Sequence, residues 1–109
     1  MMKKLVYSPE AVRQLKSVKT YVSDCLQNPK AANNILGKIT AGCRLLVEFP
    51  NLGRPVNLID DGTLVRLLII DNYIIIYDVT DNTIRIISIE DARSDWASSF
   101  KDNEAKERK

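Results

Sequence analysis

The groups best equipped for chemistry in this 109-residue chain are arginines and tyrosines, because it contains no histidine. Without an imidazole base the Ser-His-Asp arrangement is excluded, and any proton transfer or anion binding falls to Arg, Lys, Tyr, Asp or Glu. Arg66 and Tyr77 stand out inside the run TLVRLLIIDNYIIIYDVTDNTIRIISIE, residues 63–90. Asp71-Asn72 and Asp81-Asn82 break that run as two-residue turns, since both residue types tolerate left-handed backbone. Counting outward from the turns pairs Ile70 with Tyr73, Arg66 with Tyr77 and Asp78 with Arg85. A guanidinium directly beside a phenol can bind phosphate or an acidic protein surface, or it can stack as an ordinary cation–π pair. Arg93 joins them if the chain folds back beyond Glu90.

The same register sorts the three strands of this antiparallel meander into unequal faces. One face carries Arg66, Tyr73, Tyr77 and Ser88 among aliphatics, while the other, with Leu67, Ile76 and Ile87 abreast, is nearly pure aliphatic. The aliphatic face is the expected core, and the mixed face is the expected contact surface for a partner. Substituting Arg66 or Tyr77 is therefore expected to change function more than stability. Asp78 and Arg85 read as a cross-strand surface ion pair worth at most about 1 kcal/mol.

The elements that must position these residues precede the meander. KKLVY, residues 3–7, has strand propensity, and Ser8-Pro9 supplies a cap hydroxyl and a first-turn proline. Ala11, Val12, Leu15, Val18, Val22 and Leu26 then recur at helical spacing, giving a helix that ends near Gln27. Asn28-Pro29 repeats the device, and Ala32, Ile35, Ile39, Cys43, Leu46 and Phe49 carry a second helix to Pro50. The two form an antiparallel hairpin, with Gly37 and Gly42 suited to close packing. NLGRPVNLIDDG, residues 51–62, reads as a loop into the sheet; its Arg54 either meets a partner or pins Asp60, Asp61 or a carbonyl. DARSDWASSF, residues 91–100, can form a short amphipathic helix whose Trp96 and Phe100 are either a lid on the core or an anchor for a partner.

Length and charge bound the rest. The chain supports one domain over residues 1–100, followed by a charged tail, 101–109, expected to be disordered. A net charge of +2 permits nucleic-acid contact without arguing for it. Cys25 and Cys43 lack metal-knuckle or redox spacing and read as buried thiols; no metal or cofactor is expected. No signal peptide and no span are apparent, which points to the cytoplasm and away from the membrane. Two helices can cover only one face of a meander whose faces are both apolar. A partner strand, a partner helix or a second copy is expected on the other.

The fold class is thus α+β: an N-terminal strand, an antiparallel helix hairpin, a three-stranded antiparallel meander and a short C-terminal helix or tail. In that order, the Ser8-Pro9-Glu10-Ala11 opening, Phe49-Pro50 with Leu52-Gly53-Arg54, and Arg66 ahead of Asn72-Tyr73 and Tyr77 resemble the RelE/ParE superfamily of bacterial toxins. The likeness covers residues 3–96 and is closer to the ParE branch. It implies the toxin of a type II toxin–antitoxin pair of the plasmid-stabilization kind. Such a toxin inhibits DNA gyrase by binding, is neutralised by a cognate antitoxin, and forms a homodimer or a heterotetramer with it. Arg54, Arg66, Tyr73, Tyr77, Ser88, Arg93 and Trp96 are the residues expected to meet target or antitoxin.

RelE-type cleavage draws on basic residues after the middle-strand tyrosine and past the last strand, plus a C-terminal tyrosine. Here Ile74 and Ala92 occupy the nearest positions, and no tyrosine follows Tyr77. The alternative implied by the resemblance is a ribosome-dependent mRNA endonuclease, with Arg66, Arg93 and Lys101 on the phosphate and Tyr77 or a carboxylate moving the proton. Many ParE members carry His-Gly after the last strand where this chain has Glu90-Asp91, while Arg93 stands in the expected place. A third alternative is a degenerate, non-toxic member that only binds its antitoxin.

Overall fold

Ser8 joins the first two elements to the rest of the protein. A computed structural model describes residues 3–25, 27–57, 64–98 and 100, with Cys25 as backbone only. In it β1 (Lys4–Tyr7) stops at Ser8, whose hydroxyl accepts from the Ala11 N–H at 3.0 Å and donates to the Ile87 carbonyl at 2.6 Å. One side chain therefore caps α1 (Pro9–Thr20) and ties its start to the sheet. The α-helical hydrogen bonding ends earlier than the apolar stripe suggests, because Tyr21–Cys25 widen into a π-helical turn. Gln27 adopts φ 52°, and the Asn28 N–H reaches back to the Val22 carbonyl at 3.2 Å, a Schellman-type closure of the helix end. Asn28 then caps α2 (Pro29–Glu48) by accepting from the Ala31 N–H.

The meander is present as β3 (Val65–Ile70), β4 (Tyr73–Val79) and β5 (Thr83–Asp91), and it is the centre of a five-stranded sheet. The strand order is β1-β5-β4-β3-β2, with β1 parallel to β5 and every other pair antiparallel. β2 (Arg54–Val56) lies in the segment expected to be a loop. Three residues are too few to show a period of two, and Pro55, which has no N–H to donate, is tolerated because β2 is an edge strand.

Ile70 pairs with Tyr73, Arg66 with Tyr77 and Asp78 with Arg85, as the turns dictate, and Asp71 at the first turn has φ 53°. Beyond Ile86 the register departs from a simple count. A bulge inserts Ile87, so Ser88 faces Ile76, Ile89 faces Ile75 and Glu90 faces Ile74. This brings Ile89 onto the face that Tyr73 and Tyr77 share. Past the end of β1, Gln14 takes over the β5 edge, its Oε1 accepting from the Ile89 N–H at 2.6 Å.

The helices do not cover the aliphatic face. Ala11, Val18, Ile39, Cys43 and Leu46 pack against Tyr73, Ile75, Tyr77, Ile84 and Ile86, the face expected to meet a partner. The opposite face, with Leu67, Ile76 and Ile87, is covered by Trp96 and Phe100 from the chain's own C-terminal stretch, where residues 96–98 are helical. Apolar purity did not decide the matter because both faces carry a buried cluster, with Ile69 at the margin of the aliphatic face left exposed. What decides it is that tyrosine rings carry large apolar area and a hydroxyl long enough to reach polar groups at the core's margin. Among the described residues no helix is long and apolar enough to cross a membrane.

Candidate functional site

Arg66 and Tyr77 are brought together, and both are occupied by the loop that leaves α2. Tyr77 is completely buried; its hydroxyl accepts from the Gly53 N–H at 2.8 Å and donates to the Pro50 carbonyl at 2.9 Å. Arg66 Nη1 donates to the Gly53 carbonyl at 2.6 Å and lies 3.4 Å from the Asn51 carbonyl. The pair is a clamp on residues 50–53 rather than a cation–π stack open to a ligand. Burial raises the Tyr77 phenol, outweighing the Gly53 N–H and the Arg66 charge, which both favour ionisation. A phenol so placed is a poor proton shuttle near neutral pH. The clamp holds the chain that carries Phe49 and Leu52, both strongly exposed, with Leu45 exposed one turn earlier.

Arg93 lies at the other end of β4. Its Nε and Nη2 donate to the two Asp91 oxygens at 3.1 and 2.9 Å, which holds that carboxyl below its ordinary value. Asp91 pairs with Tyr73 across the sheet, so Arg93 borders a cleft of about 620 Å³ together with Tyr21, Asn72 and Tyr73. Val22, Ala31 and Ile35 form its apolar wall, and Asp71, bridged to Lys38 at 3.3 Å, stands at the rim. The β5 end is fixed there because the Ala92 N–H donates to the Asn72 carbonyl at 2.8 Å.

Ser88 is buried at the bulge, where its hydroxyl lies 2.6 Å from Glu90 Oε1 and 3.2 Å from Gln14 Oε1. Arg54 is exposed on β2, and Trp96 packs in the second cluster. Lys101, Asp60 and Asp61 lie outside the described residues. Tyr21 escaped the sequence reading; its spacing of three from Val18, on the helix's apolar side, was the available signal. Asp78 and Arg85 make the expected bridge, with oxygen–nitrogen distances of 2.8 and 3.3 Å.

Burial also raises Tyr73 and Tyr7, and the neighbouring buried Cys43 thiol adds to the rise at Tyr7. With three phenols held above the ordinary value of about 10, the fold favours their neutral forms. That stabilisation is fully present below pH ~10 and is lost as pH rises toward the folded values, because the unfolded chain ionises first. Ultraviolet titration of the native protein should show Tyr7, Tyr73 and Tyr77 ionising late and together with alkaline unfolding. Ordinary titration of all phenols in a folded protein would contradict this.

With this geometry in place, a family model described as "ParE toxin of type II toxin-antitoxin system, parDE" matches residues 5–96. Among solved structures, one described as "Chromosomal ParDE TA system from P. aeruginosa" superposes with a TM-score of 0.70 at 22% identity. The match covers 84% of this chain and 98% of that one. No curated protein sequence matches the chain.

Proposed function

The chain belongs to the ParE toxin family of type II toxin–antitoxin systems, and from that membership we propose that it inhibits DNA gyrase by binding and is neutralised by a cognate antitoxin. It acts in the cytoplasm, where gyrase works. The observation that favours binding over cleavage is the engagement of the middle strand. The Arg66 guanidinium and the Tyr77 hydroxyl, which an RNA-cleaving site of the related branch would turn toward a phosphate, are committed to the carbonyls and the N–H of residues 50–53. Moving the Tyr77 hydroxyl leaves the buried Gly53 N–H without its partner, and moving Arg66 takes the side-chain donor from the Gly53 carbonyl. What remains available on the surface suits adhesion: the cleft beside Arg93 and the exposed Leu45, Phe49 and Leu52.

Purified toxin should block gyrase supercoiling of relaxed plasmid in a dose-dependent manner, and an equimolar amount of its antitoxin should restore it. Unaffected supercoiling at large excess of toxin, with codon-positioned breaks in translated mRNA, would replace this reading with ribosome-dependent cleavage. Neither effect, together with normal growth on induction, would mark a chain that only binds its antitoxin.

A further inference from the structure

We propose that the cleft beside Arg93 receives an acidic side chain of the antitoxin, its carboxylate held by the Tyr73 hydroxyl and the Arg93 guanidinium and its flanking apolar residue resting on Val22, Ala31 and Ile35. The proposal rests on the toxin–antitoxin reading for the identity of the partner, and on the cleft alone for the chemistry.

Tyr73 carries the argument. Its side chain lines the cleft and the residue is only 6% exposed, yet its hydroxyl finds no hydrogen-bond partner among the described residues. The hydroxyl is therefore the part of the ring that stays open, and the contrast is internal to this strand, since Tyr77 spends its hydroxyl on two backbone groups. A phenol open to a cleft can donate to a ligand seated there. Arg93 stands beside it with Nε and one Nη2 hydrogen engaged by Asp91. A guanidinium has five N–H donors, so three remain, and the Asp91 bidentate contact fixes the plane in which they point. Asp71 is bridged to Lys38 and Asp91 to Arg93, which leaves the Tyr73 hydroxyl and three Arg93 N–H groups as the unengaged donors here. An acceptor with negative charge is the complement.

The walls choose between a carboxylate on a protein and a phosphate on a nucleic acid. Val22, Ala31 and Ile35 offer aliphatic contact, which a protein side chain next to the acid would fill. A sugar–phosphate strand would instead bring several charges to a cleft that offers a single guanidinium. A volume of about 620 Å³ admits a few residues of extended chain, well within the usual range for ligand sites.

The test needs neither the antitoxin nor toxicity. N-acetyl-Leu-Glu-amide, N-acetyl-Leu-Gln-amide and a short single-stranded oligonucleotide are titrated into nitrogen-15-labelled full-length protein. The glutamate peptide should shift the amides of Ala31, Asn72, Tyr73 and Arg93 and bind roughly 10-fold more tightly than the glutamine peptide, the weight of a charge-assisted hydrogen bond. Tyr73→Phe removes a hydroxyl that bonds nothing in the fold, so it should leave the spectrum native while weakening the glutamate peptide about 10-fold and the glutamine peptide little. Arg93→Gln should do the same. Equal binding of the two peptides, shifts elsewhere, or no shifts at all would overturn the proposal. So would an oligonucleotide that occupies the same residues more tightly, which would make the cleft a phosphate site. A failed gyrase assay leaves these titrations unchanged, and a failed titration leaves the gyrase result standing.

Discussion

Replacing Tyr77 with phenylalanine is expected to destabilise the fold by about 2 to 3 kcal/mol while keeping its ring packing. The hydroxyl serves two backbone groups at once, the Gly53 N–H and the Pro50 carbonyl, and Gly53 is buried. Each group left without a partner costs on the order of 1 to 3 kcal/mol, and the removed phenol offsets part of that by no longer being desolvated. Gly53→Ala attacks the same clamp from the other side. A Cβ there would stand 2.6 Å from the Leu67 carbonyl oxygen and 2.8 Å from the Tyr77 ring edge and hydroxyl. A backbone oxygen and a fully buried ring cannot yield cheaply, so about 1 to 3 kcal/mol is expected, in the range of an overpacked core. The double variant should lose less than the sum, since both changes break the Gly53–Tyr77 contact. Denaturant unfolding of the four proteins measures all of this. If Tyr77→Phe shifted the midpoint negligibly and yet abolished toxicity, the phenol would be a contact for the target and the clamp reading would fall.

That outcome inverts what the sequence alone suggests for Arg66 and Tyr77, and the reason is physical. Turn chemistry is local, so Asp71-Asn72 and Asp81-Asn82 fixed the pairing of β3 with β4 and of the first half of β5 without knowledge of the fold. Helix caps are local too, and Ser8-Pro9 and Asn28-Pro29 start their helices where they stand. Which sheet face meets the helices is a global choice. When both faces are apolar it turns on what lies beyond the strands: a loop with carbonyls for Arg66 and Tyr77 to bind, and Trp96 and Phe100 to cover the other side. The bulge at Ile87 was equally hidden, because an unbroken run of β-branched residues reads the same with or without one extra residue. Its effect is concrete: it moves Ile89 into the helix core, and leaves Ser88 and Glu90 to bond one another. The cleft was half legible. Arg93 and Tyr73 were named as contact residues, but Tyr21 beside them opens a π-helical turn, which leaves no mark on a stripe of valines and leucines.

Phe100→Ala should be the most damaging truncation outside the helix core, at about 3 to 5 kcal/mol. Phe100 is 2% exposed and packs with Val65, Leu67, Ile74, Ile76 and Ile87, on strands held by hydrogen bonds on both sides. Such a floor cannot collapse into the space left behind, so the cavity persists and the full penalty applies. Trp96 is the only tryptophan and sits in the same cluster, which makes it a local reporter. Its emission should shift toward that of a solvated indole in Phe100→Ala at denaturant concentrations where the helices are still intact by circular dichroism. A single coincident transition with no loss of stability would show that the C-terminal stretch does not seal the sheet. The same variant separates cover from contact surface. The chain itself covers Leu67, Ile76 and Ile87, so a partner is not required to bury them, and the cleft at Arg93, the side chains beyond the clamp and Ile69 stay open. Under conditions where Phe100→Ala remains folded, it should therefore bind the glutamate peptide as the parent does, whereas Tyr73→Phe should weaken that binding about 10-fold with its stability intact.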